Sequence, residues 1–291
     1  QTSCNNGCVP VTPAISPVQA LVEHFQWLSK HQQQHLPEHQ LRKSWCTNLK
    51  HLSLKYCHLR DRSVVEILLA IQHVSSLRTL DLVGNQCGQG TLDMVGRILS
   101  RDKNGNDIIN LEEQHVQSSV AVSTKLFESE LSTLSPQSTP PTTTRQYLSS
   151  SLTTIDLSHQ IDGMSQCNFI AFCAALKSKG ELQSLRLAGN ELGDDQICVL
   201  AESIHHNQSL QYLDLSENNI SNEGCQSLLT ALKSNRALLG LNLKHNTDII
   251  LDLSQFITVL KSHNFHLHQL DHSIGSTTTR SIDIRNPLNN N

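Results

Sequence analysis

The phrase Leu-x-x-Leu-x-Leu restarts along this chain at Leu49, Leu77, Leu152, Leu182, Leu210, Leu238 and Leu267, with a degenerate start at Asn106. Successive starts, the degenerate one included, lie 28, 29, 46, 30, 28, 28 and 29 residues apart. So regular a period means one supersecondary unit copied and stacked rather than an ordinary globular core. Within a unit the apolar spacing changes. Leu213 and Leu215 alternate as a short strand does, and Leu228, Leu229 and Leu232 recur at helical spacing after Gly224. Each unit therefore reads strand, turn, helix, with one apolar face on each element that only a neighbouring unit can bury.

Asn190, Asn218 and Asn246 stand where the chain leaves its strand and the backbone loses its ladder partners. A side-chain amide both donates and accepts, and leaving buried peptide groups unmade costs about 1–3 kcal/mol each. Cys57 takes this place in the first unit and Gln160 in the unit that starts at Leu152, so less regular turns are expected there.

The resulting pattern, L-x-x-L-x-L-x-x-N-x-L-x-x-x-G-x-x-x-L-x-x-x-L, runs from Leu49 to Leu270 and is cleanest from Leu182 to Leu243. It resembles the ribonuclease-inhibitor-like class of leucine-rich repeats. The resemblance implies an α/β fold, a leucine-rich-repeat solenoid (horseshoe) with an inner parallel β-sheet and outer helices. That class includes intracellular binding scaffolds, innate-immune receptors, actin-end regulators, axonemal subunits and Ran GTPase activators.

Five segments follow from periodicity and composition. Residues 1–48 hold a tail and a capping helix, in which Ser16, Pro17 and Gln19 precede an apolar stripe of Leu21, Val22, Phe25 and Leu28. Residues 49–116 and 152–272 are two blocks of repeats. Residues 117–151, rich in Ser, Thr and Pro, read as a flexible insertion, and residues 273–291 as a disordered tail. The chain opens on Gln1 rather than Met, which reads as a fragment or a processed product.

A formal net charge of −4 without long runs of one sign speaks against nucleic acid, and no apolar stretch is long enough for a membrane span. The nine cysteines follow the repeats rather than a separate framework, with Cys57 and Cys87 at core turns and Cys173 and Cys198 on helices. That distribution points to reduced thiols and a cytoplasmic protein. The sequons at Asn207 and Asn219 read as chance matches.

Two patterns compete for chemistry. Asp102, Asn104, Asn106 and Glu113 fall at the calcium-ligand positions of a segment resembling an EF-hand loop, but Asp107 stands where the sharp turn needs glycine. The same segment is in register with a repeat strand and can hardly serve both. His263, His266, His268 and His272 cluster without the convergent set of four that zinc needs. No nucleophile elbow, P-loop, dinucleotide fingerprint or HExxH motif is present, so neither an enzyme nor a cofactor is expected.

Function then falls to strand residues that face away from the core. Their central column runs Ser53, Asp81, Asn110, Asp156, Arg186, Asp214 and Asn242. The expected contacts to a protein partner are Tyr56, Asp156, His159, Arg186, Tyr212, Asp214, Glu217 and Lys244, with Tyr56, Arg186 and Tyr212 as hot spots. The first expectation is a non-catalytic scaffold that binds a protein on its concave face. The second is a regulatory module, either a GTPase activator or the sensor region of an innate-immune receptor. The third is a calcium-responsive scaffold acting through residues 102–113.

Overall fold

The computed structural model describes residues 20–23, 49–71, 74, 76–100, 152–177, 181–246, 249, 267–274 and 278–283. Among them, strand and helix alternate: β1 (His51–Ser53), α1 (Asp61–Ile71), β2 (Thr79–Asp81), α2 (Gln89–Leu99), β3 (Thr154–Asp156), α3 (Ile170–Lys177), β4 (Ser184–Arg186), α4 (Asp194–His206), β5 (Tyr212–Asp214), α5 (Asn222–Leu232) and β6 (Gly240–Asn242). Two further strands, β7 (Gln269–Ile274) and β8 (Thr278–Asp283), complete one sheet in the order β1 to β8. The first seven strands are parallel and the sheet stays open.

Register explains the core. The middle residue of each strand, Leu52, Leu80, Ile155, Leu185, Leu213, Leu241 and Leu270, pairs with its counterpart in the next. From Leu80 onward these side chains are fully buried. Each helix turns a matching stripe toward them, such as Val64, Ile67, Leu68 and Ile71 on α1 or Ile197, Leu200, Ala201 and Ile204 on α4. One apolar cluster thereby runs from Val22 to Leu270. Val22 lies in the helical stretch 20–23 and joins this cluster, with Leu21 packed against it. Helix α2 is buried along most of its length, and Gly96 permits a close approach: a Cβ there would sit 3.3 Å from the Cα of Phe172 on α3.

The asparagine ladder forms as expected. Asn218 Oδ1 accepts from the N–H groups of Asn190 and Leu192, both at 3.0 Å, while its Nδ2 donates to the carbonyls of Leu187 and Leu215. Asn190 and Asn246 repeat the arrangement, and Gln160 keeps it going by accepting from Cys87 N at 2.9 Å and donating to Leu82 O at 3.0 Å. The Leu152 unit is therefore no less regular than its neighbours at this rung. Asn85 is a further rung, bonded to Leu59 N and to Leu54 O. A second ladder, at the helix exits, uses Asn207 and Asn235, whose Oδ1 atoms accept from Leu210 N and Leu238 N. Asn207 is 4% exposed with its amide engaged on Leu176 O, which removes it as a glycosylation acceptor in the folded chain.

Three expectations need correction. The repeat placed at Asn106, with Asn110 on the concave face, does not stand between β2 and β3, because Thr79, Leu80 and Asp81 pair directly with Thr154, Ile155 and Asp156. A polar residue, Asn106, stands at the opening of that unit where the others have a leucine. Cys57, expected in a core turn, is exposed, since among the described residues no unit precedes the first and nothing covers its turn. The segment 273–291, expected to be disordered, contributes Ser273 and Ile274 to β7 and the whole of β8, which runs antiparallel to it. An open edge of unpaired N–H and C=O groups favours a returning strand, and the threonines there suit one. The calcium-like segment 102–113 lies outside the described residues.

Candidate partner-binding face

With the central leucines turned inward, the residues on either side of them in each strand share the opposite face of the sheet. The column closest to the strand ends is Ser53, Asp81, Asp156, Arg186, Asp214, Asn242 and Asp271, each paired in register with the next. Its acids also serve the backbone. The Oδ1 atoms of Asp156 and Asp214 each accept from an N–H two residues on, Ser158 and Ser216, at 3.1 Å. These local bonds satisfy the backbone where the strand ends.

Three of the column's four acids meet a cation from a neighbouring repeat. Lys55 Nζ lies 2.9 Å from Asp81, Arg186 Nη1 lies 3.4 Å from Asp156, and Lys244 Nζ lies 3.7 Å from Asp271. The hydrogen bond and charge of Asp81 raise the Lys55 ammonium above the ordinary lysine value. Arg186 also stands over the Tyr212 ring, 5.9 Å from its centroid. The ring in turn lies against Gly240, where a Cβ would come within 2.9 Å of Tyr212 Cδ2. Partial burial, then the charge of Asp214, push the Tyr212 phenol above its usual value, and its hydroxyl donates to Asp214 Oδ2 at 3.4 Å. Asp156, Arg186, Tyr212 and Asp214 thus form one connected row across three strands.

The structure places the expected contact residues in two groups. Arg186, Tyr212, Asp214 and Lys244 gather on β4 to β6 and just beyond, with Asp156 beneath Arg186. Asp156 is only 7% exposed, so it holds the guanidinium in place and offers little surface of its own. Tyr56, His159 and Glu217 are exposed and sit at the ends of the strands, all with positive φ. Sequence reasoning passed over a set of contacts between units. Asp61 accepts from the N–H groups of Gly88, Gly90 and Thr91, and Asp194 from those of Ser221 and Gly224, so each caps the helix of the following repeat. The glycine two residues inside that helix makes room, as a Cβ at Gly90 or Gly224 would meet the carboxylate at 2.6 or 2.5 Å.

The outer face differs. Helices α4 and α5 border a shallow groove of about 430 Å³ lined by Cys198, Glu202, His205, Glu223, Gln226 and Thr230. Glu202 is engaged there by Lys177 at 3.2 Å. Among the described residues no group of three or more His, Cys, Asp or Glu side chains is placed to hold a metal, and no helix is long and apolar enough to cross a membrane.

Residues 46–68 and 206–229 match the family model of the leucine-rich repeat. The fold is a leucine-rich-repeat solenoid. No curated protein matches the chain. Among solved structures, actin-binding site 2 of leiomodin-1 is similar at 19% identity over 42% of this chain and 70% of its own, with a TM-score of 0.39. The tropomodulin C-terminal domain of Caenorhabditis elegans is similar at 16% identity over 43% of this chain and 76% of its own, with a TM-score of 0.36.

Burial also sets the thiol chemistry. It pushes Cys87, Cys173 and Cys225 up to about 12 and Cys167 to about 11, from an ordinary value of 9.0. Above pH 9 an unfolded chain sheds these protons while the folded chain keeps them. The four thiols therefore leave stability unchanged below pH 9 and lower it steadily from pH 9 to about 12. Urea midpoints measured across that range should fall with pH, and a Cys173→Ala, Cys225→Ala variant should show a shallower fall.

Proposed function

We propose that this chain is a non-catalytic interaction scaffold of the ribonuclease-inhibitor-like kind, working inside the cell, whose concave face grips a protein partner around Arg186 and Tyr212. The observation that carries the reading is the preorganised row of Asp156, Arg186, Tyr212 and Asp214 on an open strand face. Arg and Tyr dominate interface energetics because they combine area with directed hydrogen bonds, and both lose less entropy on binding when already held. Here a buried carboxylate fixes the guanidinium, and a glycine on the next strand lets the phenol lie flat. The ion pairs of Lys55 with Asp81, Arg186 with Asp156 and Lys244 with Asp271 give this face both signs of charge, which favours a partner with polar, mixed-charge contacts over nucleic acid. The 28- to 30-residue spacing of most starts, with a helix following each of β1 to β5, supports the subclass.

An Arg186→Ala, Tyr212→Ala double variant should keep the parent's thermal midpoint, since neither side chain enters the core. Captured side by side from lysate, the parent should retain a protein that the double variant loses, with an affinity drop of about 30-fold or more once that protein is purified. Equal retention by both chains would move the site elsewhere.

A further inference from the structure

At the end of each strand the chain passes through a left-handed residue, and these residues form their own column: Tyr56, Gly84, His159, Gly189, Glu217 and His245, with φ between 50° and 68°. Their N–H groups continue the sheet ladder. Tyr56 donates to Val83 O, Gly84 to Ser158 O, His159 to Ala188 O, Gly189 to Ser216 O and Glu217 to Lys244 O, all at 2.7–3.1 Å. Neighbours in the column are therefore one strand spacing apart, about 4.8 Å. From Tyr56 to Glu217 large side chains and glycines alternate, and His245 follows Glu217. The Tyr56 ring occupies the space that a Cβ on Gly84 would need, and the His159 ring occupies that of Gly189. Each ring is laid on the backbone of the next repeat, and Tyr56 remains 64% exposed.

The two rings and then Glu217 recur every second strand, about 9.6 Å apart. Three residues of a polyproline II helix advance about 9.3 Å and return to the same face, whereas an α-helix returns after seven residues and about 10.5 Å. A β-strand presents opposite faces at three-residue spacing. Glu217 is exposed and forms no ion pair among the described residues. We propose that a proline-rich segment of the partner, in polyproline II form, crosses the repeats along this column, with prolines three apart on Tyr56 and His159 and a lysine or arginine three further on at Glu217. The proposal rests on the reading of this face as a partner surface and names the partner's chemistry. Rigid rings stacked against a preformed, low-entropy helix are how such segments are held.

The probe is a fluorescein-labelled peptide, Pro-Ala-Pro-Pro-Ala-Pro-Lys-Ala-Pro, titrated with the intact chain and read by anisotropy. Saturable binding is expected, weakened about tenfold or more by Tyr56→Ala or His159→Gln. Gly189→Ala, which keeps the ring but takes its seat, should weaken it similarly, and Glu217→Lys should bind the peptide poorly but recover with glutamate in place of the peptide's lysine. Thermal midpoints equal to the parent's qualify Tyr56→Ala, His159→Gln and Glu217→Lys, whereas Gly189→Ala, strained at φ 63°, is read only at a temperature where circular dichroism shows it fully folded. Absence of saturable binding, or binding indifferent to both Tyr56→Ala and His159→Gln, overturns the proposal. Loss of capture in the Arg186→Ala, Tyr212→Ala chain would still stand in that case, so the scaffold reading and its polyproline form fail separately.

Discussion

Asn218→Ala should destabilise the chain by about 3 kcal/mol or more, because it leaves several buried groups unmade at about 1–3 kcal/mol each. Two N–H groups, those of Asn190 and Leu192, lose their acceptor, and the carbonyls of Leu187, Leu215 and Ser216 lose a donor. The side chain is 4% exposed, so water cannot replace it without opening the turn. Asn218→Asp should be no better. It keeps the acceptor but points a carboxylate at three carbonyl oxygens. Urea unfolding followed by far-ultraviolet circular dichroism measures both, and a loss under about 1 kcal/mol for Asn218→Ala would show that the ladder is decorative. Each repeat contacts mainly its neighbours, so the damage should be greatest in amide exchange of the units at Leu182 and Leu210.

Phe172→Ala should cost a comparable amount, about 3–5 kcal/mol, through the cavity left in a close-packed core. Phe172 is fully buried on α3, meets Phe169 edge-on at a centroid distance of 6.1 Å, and stands where Gly96 lets α2 approach. The hole would open in the core under α3, whose backbone is held close to α2 at Gly96 and cannot collapse inward without disturbing it. Phe172→Leu, which retains most of the volume, should lose less than half as much. A wild-type-like midpoint for Phe172→Ala would contradict the description of α2 and α3 as tightly joined.

Much of this architecture can be read from residues 28 apart. The Leu-x-x-Leu-x-Leu phrase specifies strand register because one face is wholly buried, and the ladder asparagines announce themselves by position. Asn85 holds the same position and was legible on the same grounds. Contacts between units are harder to see, since Asp61 and Asp194 reach partners 27 to 30 residues away that only the stacked fold brings close. Their signal is a pair: an acid two residues after a core position, and a glycine 29 or 30 residues later that clears space for it. The strand β8 was missed because periodicity stops before it, although Thr277 to Thr279 carry β-branched side chains suited to an edge.

The candidate site was legible in its membership rather than in its roles. Alternation along each strand identified Arg186, Tyr212 and Asp214 as outward-facing, but not that Asp156 would sit under Arg186 or that Tyr212 would rest on Gly240. Those arrangements depend on which residue lies opposite in the next strand and on the rotamer it takes there. Tyr56 and His159 looked like strand-flanking residues. Their place on glycines becomes visible only once the repeats are aligned at the ladder position, one residue before which ring and glycine alternate.

The partner is expected on the strand face and not on the helical face. Photo-crosslinking tests it most directly, with a benzophenone amino acid placed in one chain at Tyr212 on the concave side and in another at Gln226 in the outer groove. Each chain is irradiated with the captured partner and the products are mapped by mass spectrometry. Partner peptides are expected joined to position 212 and none to position 226. Cross-links from position 226 alone would contradict this expectation.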